Sequence, residues 1–132
     1  MKVFLDTNVW LSATIFSGLC ESLVTACADR DWLVTCPLVR VEAHEVLARK
    51  FPHLPHAPAL FDASWSEAPL VNDVAEPADD NDARLVAAAA TAGADLFVTG
   101  DKRVLGWKQS GTLRIVTPRE AWIILFAPHL KH

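Results

Sequence analysis

The chain has 132 residues, 52% of them apolar and 21% charged, and a net charge of −4. This composition is typical of a single globular domain over residues 1–132 and excludes a disordered chain, while three cysteines without CxxC spacing indicate neither a disulfide framework nor a zinc site. We expect a cytoplasmic protein, because no apolar stretch reaches the roughly 20 residues of a membrane span and Asp6 interrupts the first apolar run.

The first half of the chain alternates short apolar runs with segments whose apolar residues repeat at helical spacing. Runs that are apolar on both faces are typical of strands buried in a parallel sheet. This pattern predicts strands over 2–6 and 32–36 and helices over 7–17, 21–28 and 38–51. We expect Thr7 or Asn8 to cap the first helix, and Val41 to lie on the apolar side of the third.

The second half continues the alternation. We predict a short helix over 59–65, an edge strand over 69–71, a long Ala-rich helix to Ala92, strands over 95–99 and 112–116, and a last helix that begins at Pro118. This order predicts an α/β fold, a three-layer α/β/α sandwich with a mostly parallel central sheet. We expect Trp107 and Trp122 to belong to the core or to a subunit interface rather than to a surface for stacking bases.

Two carboxylates follow the ends of predicted buried strands. Asp6 ends the run Val3-Phe4-Leu5, and Asp101 follows Leu96-Phe97-Val98 through Thr99-Gly100. Ligand sites in open parallel sheets lie beyond the carboxyl ends of the strands, so these acids are expected to face one crevice. Glu42 on a helix and Asp82 at a helix start offer two more. A cluster of acids without histidine or cysteine suits a hard divalent cation, which indicates chemistry on phosphates.

Basic residues are concentrated in the last part of the chain. Seven of the twelve Lys and Arg residues lie from Arg84 onward, and none lies between Lys50 and Arg84. A surface with such segregated charge can meet a phosphate backbone on its basic side while metal ions mask the acidic pocket.

Four segments in order resemble the motifs of PIN domains. They are the first strand with Asp6-Thr7-Asn8, the helical glutamate Glu42, the acidic run Asp79-Asp80-Asn81-Asp82 before an Ala-rich helix, and the strand-ending Thr99-Gly100-Asp101. The resemblance implies a metal-dependent ribonuclease that uses Mg²⁺ or Mn²⁺, acts on RNA, and in bacteria is most often the toxin of a toxin–antitoxin pair. It also implies a small antitoxin as partner and a homodimer.

The resemblance further implies roles for the acids. Asp6 and Asp101 are expected to hold the principal metal, Glu42 to bind it directly or through water, and Asp82 to orient a water or complete a second site. Asn8 and Thr99 are candidates for fixing the carboxylates by hydrogen bonds. Relatives often have a proline where this chain has Asp80, which leaves two registers open, with Asp79 or Asp82 as the third acid; we prefer Asp82, three residues before Leu85.

Two other functions compete with the nuclease. A catalytically silent PIN-type module would bind RNA or protein, although such a site has no need to retain mutually repelling carboxylates. A phosphate-handling domain of the receiver or haloacid-dehalogenase kind would want a second acid near the first, where this chain has Thr7 and Asn8. The acids therefore favour the nuclease.

Overall fold

The computed structural model describes residues 1–130, which form one five-stranded sheet. The strands are β1 (Val3–Leu5), β2 (Leu33–Val34), β3 (Leu96–Val98), β4 (Gln109–Ser110) and β5 (Leu113–Val116). Their order across the sheet is β2-β1-β3-β5-β4, and all neighbours are parallel except β4 and β5. The carboxyl ends of β1 and β3 therefore lie side by side, which is where the sequence places Asp6 and Asp101.

Helices connect the parallel strands, because parallel neighbours need a crossover connection between them. They are α1 (Thr7–Ile15), α2 (Leu19–Asp29), α3 (Pro37–Lys50), α4 (Ala57–Trp65), α5 (Asn81–Thr91), α6 (Lys102–Leu105) and α7 (Pro118–Phe126), followed by a 3-10 turn (Pro128–Leu130). The architecture is the expected three-layer α/β/α fold with a mostly parallel sheet. In the described part of the chain no single helix is long and apolar enough to span a membrane; α1 and α2 reach that length and composition together, but a bend of 106° separates them.

The core is formed by the central strands and the helices against them. All residues of β1 and β3 are buried, and the rings of Phe4 and Phe97 stack across these strands with centroids 5.6 Å apart. On α1 and α4, Trp10 meets Phe61 edge to face at 6.3 Å. Because both faces of β1 and β3 are apolar and covered, the ends of these strands are the first place along them where polar side chains occur, and Asp6 and Thr99 there are still buried.

Several local predictions need correction. The N-cap of α1 is Asp6 rather than Thr7 or Asn8, since the Asp6 side chain accepts a hydrogen bond from the Thr7 amide. Val41 is 53% exposed, because α3 buries Val39 and Ala43 instead. The strand β4 was not predicted: its Gln109-Ser110 is polar and too short to show a period. The expectation of one domain over 1–132 stays a prediction, and its last two residues lie outside the described residues.

Candidate functional site

The predicted acids lie around the carboxyl ends of β1 and β3. Asp6 directly follows β1, and its amide donates to the Val98 carbonyl of β3 at 2.9 Å, which joins the ends of the two strands. Asp101 is the N-cap of α6, and its carboxylate accepts a hydrogen bond from the Arg103 amide at 2.8 Å. Each acid thus begins the helix that follows its strand.

Asp6 is a buried carboxylate with an incomplete set of compensating contacts. Its side chain accepts hydrogen bonds from the Thr7 amide at 2.8 Å and from the Thr99 hydroxyl at 2.7 Å, and the residue is 4% exposed. Burial raises the pKa of Asp6 from 3.8 to about 6, and the charges of Asp82 and Glu42 raise it as well, against the two hydrogen bonds. A proton or a cation is therefore favoured here.

Glu42 is held by hydrogen bonds from two other helices. Its Oε1 accepts from the Thr7 hydroxyl of α1 at 2.7 Å, and its Oε2 accepts from the Asn81 side-chain amide of α5 at 3.2 Å. Glu45, its neighbour on α3, is exposed. These two contacts aim Glu42, and not Glu45, at the end of β1.

Of the two candidates for the third acid, Asp82 lies with the others. It is in the first turn of α5, and its pKa is raised, first by burial and then by the charges of Asp101 and Glu42. Asp79 is exposed and lies before the helix, whose N-cap is Asp80. Asp82 therefore interacts electrostatically with Asp6, Glu42 and Asp101, whereas Asp79 does not contribute to the pKa of Asp6 or of Asp82. We call these four residues the acidic cluster: Asp6, Glu42, Asp82 and Asp101.

Sequence reasoning missed a cation at the edge of the acidic cluster. The Arg103 guanidinium donates to Asp82 Oδ2 at 3.2 Å, pairs closely with Asp80 Oδ2, and lies over the Trp107 ring, 4.9 Å from its centroid. Arg103 holds the pKa of Asp80 below its ordinary value. The signal in the sequence was weak: Arg103 follows Asp101 by two residues in a basic stretch, and nothing local connects it with Asp80.

The residues that orient the acids differ partly from the prediction. Thr99 makes the expected contact with Asp6, but Asn8 is exposed, and Thr7 and Asn81 contact Glu42 instead. A threonine hydroxyl pointing from a buried strand end can be anticipated from period-two alternation. The contact of Asn81 cannot, because it depends on where the start of α5 packs.

The donor set of the acidic cluster has the chemistry of a Mg²⁺ or Mn²⁺ site. All its candidate ligands are carboxylate oxygens, which hard divalent cations prefer. The pKa of Asp6 is raised first by burial and then by the charges of Asp82 and Glu42, so a cation beside it would be stabilising. In this structure the carboxylate oxygens of the acidic cluster accept hydrogen bonds from protein donors. Within residues 1–130, no three His, Cys, Asp or Glu side chains lie close enough together to hold a metal ion. The donor chemistry fits such a cation, and binding requires the side chains to turn toward it.

We expect Thr99→Val to destabilise the protein by about 1–3 kcal/mol at pH 7.5, because it leaves a buried carboxylate without a charge-assisted hydrogen bond. Thr99 is fully buried, and its hydroxyl donates to Asp6 while accepting from the Asp101 amide at 3.0 Å. Urea unfolding measures the change, and Thr25→Val, at an exposed site of α2, is the matched control. Equal unfolding free energies for the two variants would contradict this role of Thr99.

Comparison with known protein families matches the part of the chain that contains the acidic cluster. A family model described as PIN domain matches residues 2–103, which include every member of the acidic cluster and Arg103. A search among curated proteins gives no match. The match covers more than half of the chain and therefore establishes its family.

Proposed function

The chain belongs to the PIN-domain family, whose members are in general metal-dependent nucleases, and we propose that it is a ribonuclease that hydrolyses phosphodiester bonds of RNA with Mg²⁺ or Mn²⁺. The observation that carries this proposal is the acidic cluster at the carboxyl ends of β1 and β3. Asp6 is buried there within reach of the charges of Asp82 and Glu42, an arrangement that costs more stability than capping a helix requires.

Asp6 and Asp101 would hold the principal cation, Glu42 would bind it directly or through water, and Asp82 would orient a water or complete a second site. Such a cation lowers the pKa of bound water and offsets charge on phosphate oxygens. The surrounding side chains keep the carboxylates in place: Thr99 fixes Asp6, and Thr7 joins α1 to Glu42.

We expect the protein to cut a labelled pool of single-stranded RNA in Mn²⁺ or Mg²⁺, to stop in chelator, and to lose this activity in Asp101→Asn. Asn is as good an N-cap as Asp, so this variant keeps the start of α6 and removes one charge from the acidic cluster. Gel electrophoresis of the products measures the cleavage. Equal cutting by both proteins would contradict the site, and no cutting by the folded wild type would contradict the nuclease.

One observation favours the second candidate, a catalytically silent module that binds RNA or protein. Both oxygens of Glu42 accept hydrogen bonds from protein donors, and Asp82 is paired with Arg103. A silent module would bind RNA in chelator as tightly as in Mn²⁺ and would never cut it. The cleavage assay distinguishes it from a nuclease by the absence of products.

We also propose that the protein acts in the cytoplasm as a toxin restrained by a small antitoxin, and that it is a homodimer. The support is the family, together with large apolar side chains on the surface of the first helices, such as Phe16 and Leu19. A short antitoxin-like reading frame beside the gene and light scattering at the mass of a dimer are the observations that test these two statements.

A further inference from the structure

A cation–aromatic pair lies beside the acidic cluster. Arg103, in α6, is 55% exposed at its side chain and covers the ring of Trp107, which is itself 37% exposed. Of the two places expected for Trp107, the core is therefore excluded, and a subunit interface stays a prediction. A large aromatic ring left on the surface next to a predicted nuclease site calls for a functional explanation.

Trp107 also lines a groove between α5 and the hairpin of β4 and β5. The groove has a volume of about 330 Å³ and is lined by Ala83, Val86, Ala87, Trp107, Gln109, Ser110 and Ile115. One of its lining residues, Ala83, directly follows Asp82 in the chain, and another, Trp107, contacts Arg103, which pairs with Asp82. Small apolar side chains form one wall, while Gln109 and Ser110 bring polar groups to the other.

These features match a nucleotide of single-stranded RNA better than an apolar segment of protein. A nucleobase has flat apolar faces that stack on an aromatic ring and polar edges that amide and hydroxyl groups can bind. Its phosphate needs a positive charge, and an arginine fork binds phosphate oxygens in pairs. The groove offers Trp107 for the base, and Arg103, which lies against that ring outside the groove lining, offers a positive charge for the phosphate.

We propose that Arg103, Trp107 and the adjoining groove form a nucleotide-binding subsite, in which the base stacks on Trp107 and Arg103 turns from Asp80 and Asp82 to the phosphate when a divalent cation binds the acidic cluster. This proposal rests on the proposed nuclease function. Arg103 is a binding residue here, and its pairing with Asp82 means that it competes with the cation for the same carboxylate.

The base-stacking half is tested by tryptophan fluorescence with homopolymer RNAs of roughly eight nucleotides, a length within the range that single-stranded binding sites cover. Titrations are made in chelator, where cleavage stops. The chain offers a control in another arginine–tryptophan pair, because Arg30 lies 5.6 Å from the centroid of Trp32, before the amino end of β2, although it lies closer still to Phe126, at 4.8 Å. We expect quenching in wild type and in Trp32→Phe but not in Trp107→Phe, and an affinity about tenfold weaker in Trp107→Ala.

Quenching that is absent in wild type, or unchanged in Trp107→Phe, would overturn the stacking. Should Trp107→Ala fail to fold, as judged by its melting curve, the Phe variant still decides. The cleavage assay separates this result from the parent proposal: quenching at Trp107 in a protein that never cuts RNA contradicts the nuclease alone, and cutting without such quenching contradicts the subsite alone.

The release of Arg103 is tested by calorimetric titration with Mn²⁺ alone. Arg103→Gln is expected to bind Mn²⁺ about twofold to fivefold more tightly than wild type, because an exposed ion pair no longer competes for Asp82. Arg30→Gln, the matched control, is expected to bind Mn²⁺ as wild type does. Unchanged or weaker binding by Arg103→Gln would overturn the exchange.

Discussion

Asp6→Asn is expected to abolish RNA cleavage and, at the same time, to make the protein more stable at neutral pH. The loss of activity should be at least about 100-fold, since even residues that only orient a metal ligand contribute 10- to 100-fold. The gain in stability should reach about 3 kcal/mol, the free energy equivalent of the rise in the pKa of Asp6 from 3.8 to about 6.

The sign follows from proton binding. Because the pKa of Asp6 is higher in the folded protein than in the unfolded chain, the folded state binds more protons between pH 3.8 and 6. The contribution of Asp6 to stability is therefore present at low pH and is lost as the pH rises through this window. Asparagine, neutral at every pH, fills the same space and removes this dependence.

The measurement is urea unfolding of wild type and Asp6→Asn from pH 3 to 8, compared as a difference at each pH. The comparison is made as a difference because the carboxyls of Asp80 and Asp62 have lowered pKa values, so their contribution to stability increases as the pH rises, opposite to that of Asp6. Asp79→Asn, on the exposed segment before α5, controls for the loss of a charge. A difference that stays constant across the pH range would show that the folded protein carries Asp6 at its ordinary pKa.

The fold could be predicted because its central strands are apolar on both faces and end at polar residues. Asp6 and Asp101 were visible as site candidates for the same reason: in a sheet buried on both faces, charged side chains are placed at the ends of the strands, and ligand sites lie beyond the carboxyl ends. The choice of Asp82 over Asp79 followed from helical periodicity, and the structure places Asp82 with the other acids. Its catalytic role stays a prediction.

What the sequence concealed depends on contacts between distant residues. The hydroxyl of Thr99 reaches Asp6 across 93 positions, and Arg103 reaches back 23 positions to Asp80. Local propensity contains no information on such pairs. The sequence could not show whether Trp107 lies in the core, because a tryptophan in a short loop has no periodic partner to show which side it faces. The errors therefore concentrate around Arg103 and Trp107, at the edge of the site.

A second large effect is expected from metal binding alone. Mn²⁺ at 100 times its dissociation constant should stabilise the protein by about 2.7 kcal/mol, which corresponds to a rise in melting temperature of roughly 10 °C for a domain of this size. The cation would offset the charges of neighbouring acids, which add to the effect of burial in raising the pKa of Asp6 and of Asp82. Thermal melting at pH 7.5 with and without Mn²⁺ measures the shift.

Asp101→Asn should abolish this shift, since it removes a proposed ligand while asparagine preserves the N-cap of α6. Asp79→Asn makes the same chemical change outside the acidic cluster and should keep the full shift. If Asp101→Asn shifted as wild type does, Asp101 would not bind the metal; if Asp79→Asn lost the shift, the third acid would be Asp79 and the register of the site would move by three residues. The pair of variants thus decides between the two registers by a measurement that needs no knowledge of the RNA.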